Sequence, residues 1–159
     1  MPRHAESIFM GTTEVPVHRT IGEVQSALVR AGAKRISQNY NQTGDITGMV
    51  FSLELPGPKL VHFDLPVRTE RIFQKLQSTR KKVNASAKTV DNETAHRVAW
   101  RQLLRWVEAQ LAMVDTGMCQ AHEVFMPYAI DGQGRTMFHL WSSQLSLPAP
   151  ASEEKGPHK

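Results

Sequence analysis

The chain lacks the cysteine pairs, long apolar runs and glycine-rich phosphate loops that are typical of disulfide-stabilised, membrane-spanning and nucleotide-binding proteins. It has one cysteine among 159 residues, Cys119, which excludes an internal disulfide. No apolar run approaches the roughly 18 residues that cross a membrane, and no apolar stretch of signal-peptide length occurs near the start. No glycine-rich phosphate loop of the Walker or dinucleotide type is present. We therefore expect a cytoplasmic protein with no membrane segment.

Residues that ligate metals or act as nucleophiles are also sparse. Cys119 and His122 are three positions apart, but no second ligand pair accompanies them. The same pair lacks a third group to orient it, which a catalytic cysteine–histidine dyad needs. Other histidines, such as His62 and His96, are scattered along the chain. We therefore expect no metal, no cofactor and no enzymatic activity.

Acidic side chains are scarce in the middle of the chain, where basic side chains are concentrated. Residues 68–105 contain ten lysines and arginines but three aspartates and glutamates, a local charge of +7 in a chain whose net charge is +4. Positive charge concentrated in this way is a typical footprint for a polyanion. Nucleic acid, either DNA or RNA, is therefore the first partner that we expect.

A helix predicted at residues 91–115 carries part of this charge. Its apolar side chains recur at steps of three and four, which favours one long helix with a wide apolar face. Arg97, Arg101 and Arg105 are four residues apart, which places one guanidinium on each successive turn of the opposite face. Arginine binds phosphate bidentately, so such a row can follow a nucleic-acid backbone. The alternative interpretation is a solvated face that is partly paired with nearby glutamates.

A second basic group precedes the long helix. A helix predicted at residues 70–80 has Arg71 and Lys75 on its outer side, and a basic linker, predicted to be mobile, follows at about 80–92. The alternative for the linker is a solvated connection without a ligand. The complete predicted nucleic-acid site is Arg71, Lys75, Arg80, Lys81, Lys82, Arg97, Arg101 and Arg105.

The hydrophobic pattern predicts an α+β fold. We expect a small antiparallel sheet of three or four strands, packed against an N-terminal helix and the long helix. Thr20 and Glu23 have the spacing of a capping box at the start of the first helix, and Gly32 is suited to end it. Alternation predicts strands at residues 34–40, 46–55 and 60–65, with a further strand or two at 7–17 and short helices at 118–126 and 135–145. We assign residues 1–146 to one domain and expect a disordered tail at 147–159.

Two stretches resemble a group of small hypothetical proteins that are common in bacteriophage and mobile-element sequences. Residues 14–36 read EVPVHRTIGEVQSALVRAGAKRI, and residues 96–136 read HRVAWRQLLRWVEAQLAMVDTGMCQAHEVFMPYAIDGQGRT. In that group a T-I-x-E helix, a short sheet and a W-R…E-A-L…G…F-P segment follow in this order. The resemblance implies a phage or prophage context and no catalytic residues.

An alternative function is suggested by apolar side chains late in the chain. Residues 118–141 contain more large apolar side chains than one short segment needs to bury: Met118, Val124, Phe125, Met126, Tyr128, Met137, Phe138 and Trp141. An exposed apolar patch marks an interface in most soluble proteins that have one. The main hypothesis is therefore a non-catalytic phage accessory protein that binds nucleic acid. The alternative is a protein-binding module that docks on a host protein or self-associates.

Overall fold

The protein is an α+β domain with five α-helices and a three-stranded sheet in the residues that are described. The computed structural model describes residues 8–57, 59–83 and 90–144, with 80–83 described by their backbone alone. The elements in chain order are α1 (Val17–Arg30), β1 (Arg35–Tyr40), β2 (Ile46–Leu55), β3 (Lys59–Pro66), α2 (Thr69–Val83), α3 (Asn92–Asp115), α4 (Ala121–Phe125), a 3₁₀ turn (Met126–Tyr128) and α5 (Met137–Gln144). The predicted fold class is confirmed.

The sheet is antiparallel with β2 at its centre. Ile36, Phe51 and Phe63 lie opposite one another across the three strands, so their side chains share one face of the sheet. Beyond β3, Ala129 forms a single bridge with Phe63, and the Ile130 N–H donates to the carbonyl of His62 at 2.9 Å. The segment after the 3₁₀ turn therefore covers part of the β3 edge.

Helices α1 and α3 cover the apolar face of the sheet and build the main core with it. Trp100 of α3 is fully buried, and its indole N–H donates to the carbonyl of Ile46 at 3.3 Å. The Asp91 carboxylate accepts from the Thr94 N–H at 2.7 Å and so caps α3 at its start. The long helix is confirmed, and Trp100 is a core residue.

The predicted start of α1 is wrong. Thr20 lies inside the helix and is fully buried, while Pro16 precedes the first helical residue. The Thr20 N–H already donates to the carbonyl of Pro16 at 3.3 Å, and the Glu23 carboxylate bonds to Arg101 of α3. Gly32 does end the helix as predicted, with φ of 94° in the left-handed region. Residues 8–16 form turns and irregular backbone, so the strands predicted there are also wrong within the described part.

The connection between α2 and α3 is shorter than the predicted linker at about 80–92. Residues 80–83 continue α2, and residues 84–89 lie outside the described residues. Val90 is buried with Leu76 of α2 and with Ala95 and Val98 of α3, which ties the start of α3 to α2. The tail predicted at 147–159 lies outside the described residues as well.

The last helix begins two residues later than predicted because Arg135 belongs to the preceding turn. One carboxylate oxygen of Asp131 accepts from the backbone N–H groups of Gln133 and Arg135, each at 2.9 Å. The other oxygen pairs with the Arg135 guanidinium at 2.8 Å. These bonds hold the pKa of Asp131 below its usual value. The turn positions α5 beside the 3₁₀ turn.

Candidate docking groove and the predicted basic face

Arg101 is not on the solvent-exposed side of α3. Its residue is 9% exposed, and the guanidinium pairs with Glu23 and donates to the Thr20 hydroxyl at 3.4 Å, both on α1. The Nε of Arg101 is buried without a hydrogen-bond partner. Because α1 covers this turn of α3, Arg101 links two helices and has no access to a phosphate.

Arg97 and Arg105 are engaged in ion pairs within α3. Arg97 pairs with Glu93 at 2.8 Å and donates to the Thr94 hydroxyl at 3.0 Å. Arg105 pairs with Glu108 at 2.7 Å, and both side chains of that pair are 44% exposed. Since each arginine of the predicted row has a carboxylate partner, the row does not form a continuous face of unpaired cations.

The basic residues of α2 are placed differently. Arg71 and Lys75 are exposed, one turn apart on the same helix. Arg68, which precedes α2, is exposed as well. No acidic side chain of the described residues pairs with any of these three cations. Arg80, Lys81 and Lys82 lie in the last part of α2, and their side chains are outside the description.

A groove with a volume of about 600 Å³ lies between α2, α3 and the C-terminal segment. Its apolar floor includes Ile72 of α2, Leu103 and Trp106 of α3, and Tyr128 of the 3₁₀ turn. The Trp106 ring meets Tyr128 edge-to-face, with ring centroids 5.4 Å apart. This volume is within the range of sites that bind ligands or side-chain anchors.

The rim of the groove combines positive charge with aromatic side chains. Arg68 and Arg71 line one side, and Phe138 of α5, 55% exposed, lines another. Gln102 also lines the groove, but its amide donates to the carbonyl of Phe9 at 2.8 Å. We call this feature, with its floor and its rim, the docking groove.

Helix α5 has no buried residue. Met137 is 43% exposed, Phe138 is 55% exposed and Trp141 is 46% exposed, while Leu140 is half-buried. Met137 and Phe138 lie four and three positions before Trp141, which are helical spacings that bring each of them close to the Trp141 side chain. The stability of an eight-residue helix is marginal without tertiary packing. Large apolar side chains that are exposed together are also unusual on a free surface.

The face of the sheet opposite the core carries polar side chains. Asn39 donates to the Asp64 carboxylate at 3.2 Å, and burial raises the pKa of that carboxyl despite this bond. Ser52, at the centre of the sheet, is fully buried, and its hydroxyl has no hydrogen-bond partner. These groups show no arrangement of nucleophile, base and orienting group.

Metal ligands do not cluster in the described residues. No group of three or more histidines, cysteines, aspartates and glutamates is close enough to hold an ion there. Cys119 precedes α4 while His122 lies within it, so the two do not share one helical turn. Across the described ranges, no helix is long and apolar enough to cross a membrane.

Comparison with known proteins gives no match to a family model, a curated protein or a solved structure. The function must therefore be argued from the site alone.

The groove was not predicted from the sequence. The prediction named Arg71 and the apolar surplus that contains Tyr128 and Phe138, but it did not bring them together. Trp106 is half-buried, packs on the core and also lines the groove. One sequence signal could have indicated an exposed surface here. It is the set of apolar side chains in α5, next to a segment with no strand or helix that could cover them.

Proposed function

We propose that the protein is a protein-binding module and that the docking groove together with α5 is its binding surface. The observation that carries the proposal is the exposure of α5: three of its large apolar side chains are 43–55% exposed, beside a groove with an apolar floor. Burying such side chains against a partner contributes about 25 cal/mol for each Å² removed from water. In the phage context that the sequence resemblance implies, the partner is a host protein.

Aromatic side chains support this assignment. Trp106, Tyr128 and Phe138 line the groove, Trp141 follows Phe138 by three positions on α5, and each of the four is at least partly accessible. Tryptophan and tyrosine are enriched among residues that dominate protein–protein binding energy. The groove floor is held in place by edge-to-face packing between Trp106 and Phe125, with centroids 5.8 Å apart. The surface is therefore supported by the core and available to a partner.

The test is a selection of random peptides displayed on particles, carried out on three forms of the protein. The first is wild type, and the second is Phe138→Ser with Trp141→Ser. The third is a matched control, Val29→Ser with Tyr40→Ser, which removes two other exposed apolar side chains, 60% and 61% exposed, away from the groove. We expect peptides that bind wild type and the control and lose binding to the α5 variant.

Two results would overturn the proposal. One is the absence of any enriched peptide on wild type. The other is enrichment of peptides that bind the α5 variant as tightly as they bind wild type.

Nucleic-acid binding is a second candidate, with a smaller surface than the sequence predicted. The observation that favours it is the presence of Arg71 and Lys75 on the exposed side of α2 without acidic partners among the described residues. Arg80, Lys81 and Lys82 follow on the same helix. Exposed cations without acidic partners, as Arg71 and Lys75 are among the described residues, suit phosphate contacts, whereas the α3 arginines are already paired.

This second candidate is tested by fluorescence anisotropy with labelled DNA and RNA at two salt concentrations. We expect the triple variant Lys75→Ala, Lys81→Ala, Lys82→Ala to weaken binding equally for all sequences. Each phosphate contact that is lost lowers the salt slope by about 1. Lys34→Ala with Lys59→Ala is the control, since both lysines lie outside α2. Absence of binding at low salt, or unchanged binding by the triple variant, contradicts the candidate.

A further inference from the structure

We propose that the docking groove selects one kind of partner, an amphipathic helix whose apolar face is flanked by acidic side chains. This inference rests on the proposed function and specifies the chemistry of the partner. Three features of the groove carry it: the charge on the rim, the polar groups available to a peptide backbone, and the composition of the chain's own apolar patch.

The rim carries positive charge and no negative charge. Arg68 and Arg71 line the groove, and none of the other lining side chains is acidic. Among the described residues, neither arginine has a carboxylate partner. The three arginines of α3, Arg97, Arg101 and Arg105, are paired within the protein. Two unpaired guanidiniums beside an apolar floor therefore favour an incoming carboxylate.

The groove offers little to the backbone of an extended peptide. Apart from Arg68 and Arg71, its polar lining side chains are Gln102, Tyr128 and Thr136. The Gln102 amide donates to the carbonyl of Phe9, and the Thr136 hydroxyl accepts from the His139 N–H at 3.1 Å. An extended segment laid on the apolar floor would lose backbone hydrogen bonds with water and gain few in return. A helix satisfies its own backbone groups and presents side chains alone, so it fits this groove.

A second copy of the chain is a poor occupant. The exposed apolar helix α5 reads MFHLWSSQ and contains no acidic residue. The nearest acidic side chain in the preceding turn, Asp131, is bonded to Arg135. If α5 of one copy entered the groove of another, Arg68 and Arg71 would gain no carboxylate partner. An acidic amphipathic helix of a different protein therefore fits the charge of the rim better than α5 of a second copy does.

The inference is tested with two synthetic helical peptides of about 16 residues that differ in charge alone. Both carry leucine and tryptophan at i, i+3, i+4 and i+7, the pattern of helices that dock in grooves. One carries glutamate at the flanking positions, and the other carries lysine at those positions. Fluorescence anisotropy measures each dissociation constant at two salt concentrations. We expect wild type to bind the glutamate peptide roughly tenfold more tightly at low salt, with a smaller ratio at high salt.

Two charge-reversal variants test which charge determines the preference. Arg71→Glu reverses a charge on the groove rim, while Lys59→Glu reverses an exposed charge on β3 that does not line the groove. We expect Arg71→Glu to abolish or invert the preference and Lys59→Glu to retain it. Circular dichroism confirms that both variants are folded, which we expect because both side chains are exposed.

Four outcomes overturn the inference. The first is equal binding of the two peptides by wild type, and the second is a preference for glutamate that persists in Arg71→Glu. The third is binding of neither peptide. The fourth is displacement of the glutamate peptide by a single-stranded oligonucleotide whose own binding requires Phe138 and Trp141. That result would show that nucleic acid is the ligand of the groove. If wild type binds the two peptides equally and the variant Phe138→Ser with Trp141→Ser binds neither, the charge selection is refuted while the proposed protein-binding function still stands.

Discussion

At the scale of single residues, Arg101 shows why side chains of one sequence pattern have different roles. Arg97, Arg101 and Arg105 have equal spacing, and spacing alone places them on one face of α3. The structure gives Arg101 a buried pair with Glu23 of α1, while Arg105 has a half-exposed pair within its own helix. The difference comes from the position of α1 over the middle turn of α3. No local feature of residues 91–115 contains that information.

Replacement of Arg101 should therefore destabilise the fold. We expect Arg101→Ala to lower the free energy of unfolding by about 2–3 kcal/mol, since it leaves the partly buried Glu23 carboxylate and the Thr20 hydroxyl without their partner. Arg105→Ala, which removes an exposed pair, should cost about 0.5 kcal/mol or less. Urea denaturation measures both. Equal costs for the two variants would contradict the linking role of Arg101.

Asp64 gives a prediction about pH. Burial raises its pKa in the folded state, so the folded protein binds the proton more tightly than the unfolded chain does. The stability that protonation adds is present at low pH and is lost as the pH rises through the folded-state pKa. Asp64→Asn removes the buried charge and keeps an oxygen that accepts from Asn39. We expect the variant to be more stable than wild type at pH 7.

The advantage of Asp64→Asn should shrink as the pH falls towards 4, because the wild-type carboxyl becomes neutral. Urea denaturation at several pH values measures the difference. A stability difference that does not change with pH would contradict the role of the buried charge.

At the scale of elements, the C-terminal helices divide into one that completes the core and one that does not. Phe125, the last residue of α4, is fully buried between Phe51 and Phe63 of the sheet and Trp106 of α3. Trp141 of α5 is 46% exposed and lies on a helix with no buried residue. Helix α4 thus contributes to the core, while three large apolar side chains of α5 stay exposed.

Two truncations of aromatic side chains test this division. Phe125→Ala should lower the free energy of unfolding by about 3–5 kcal/mol, as is typical for a buried phenylalanine. Trp141→Ala should lower it by less than about 1 kcal/mol, because the side chain is half-exposed in the unbound protein. Thermal and urea denaturation compare the two. A cost for Trp141→Ala that approaches that of Phe125→Ala would show that α5 is part of the core and would contradict its availability.

At the scale of the whole molecule, patterning predicts the order and type of most elements in the described chain. Period-two alternation identifies β2 and β3, and the three- and four-residue spacing identifies α3, since both patterns record which side of an element is buried. The capping box predicted at Thr20 is absent because the helix begins at Val17, which leaves Thr20 inside it, and Glu23 instead pairs with Arg101, 78 residues later in the chain. The groove escapes prediction for a similar reason: its walls come from α2, α3 and α5, which meet only in the folded protein.

The fold also changes the interpretation of the positive charge that is concentrated in residues 68–105. Of the ten basic residues in that segment, three on α3 are paired with carboxylates, and three around the start of α2, Arg68, Arg71 and Lys75, have no acidic partner among the described residues. Arg68 and Arg71 border the apolar floor of the groove. Positive charge beside an apolar surface suits an acidic, amphipathic protein segment better than it suits a phosphate backbone alone.

The most direct test of the docking surface is amide hydrogen exchange, measured on the protein alone and with a peptide from the display selection. Without a partner, the amides of α5 should exchange rapidly, because a short helix with no buried residue opens at little cost. With the peptide bound, exchange should slow in α5 and in the groove segments around residues 66–72 and 99–106. A bound peptide that slows exchange elsewhere, and leaves α5 and these segments unchanged, would contradict the assignment of the groove as the site where the protein binds its partner.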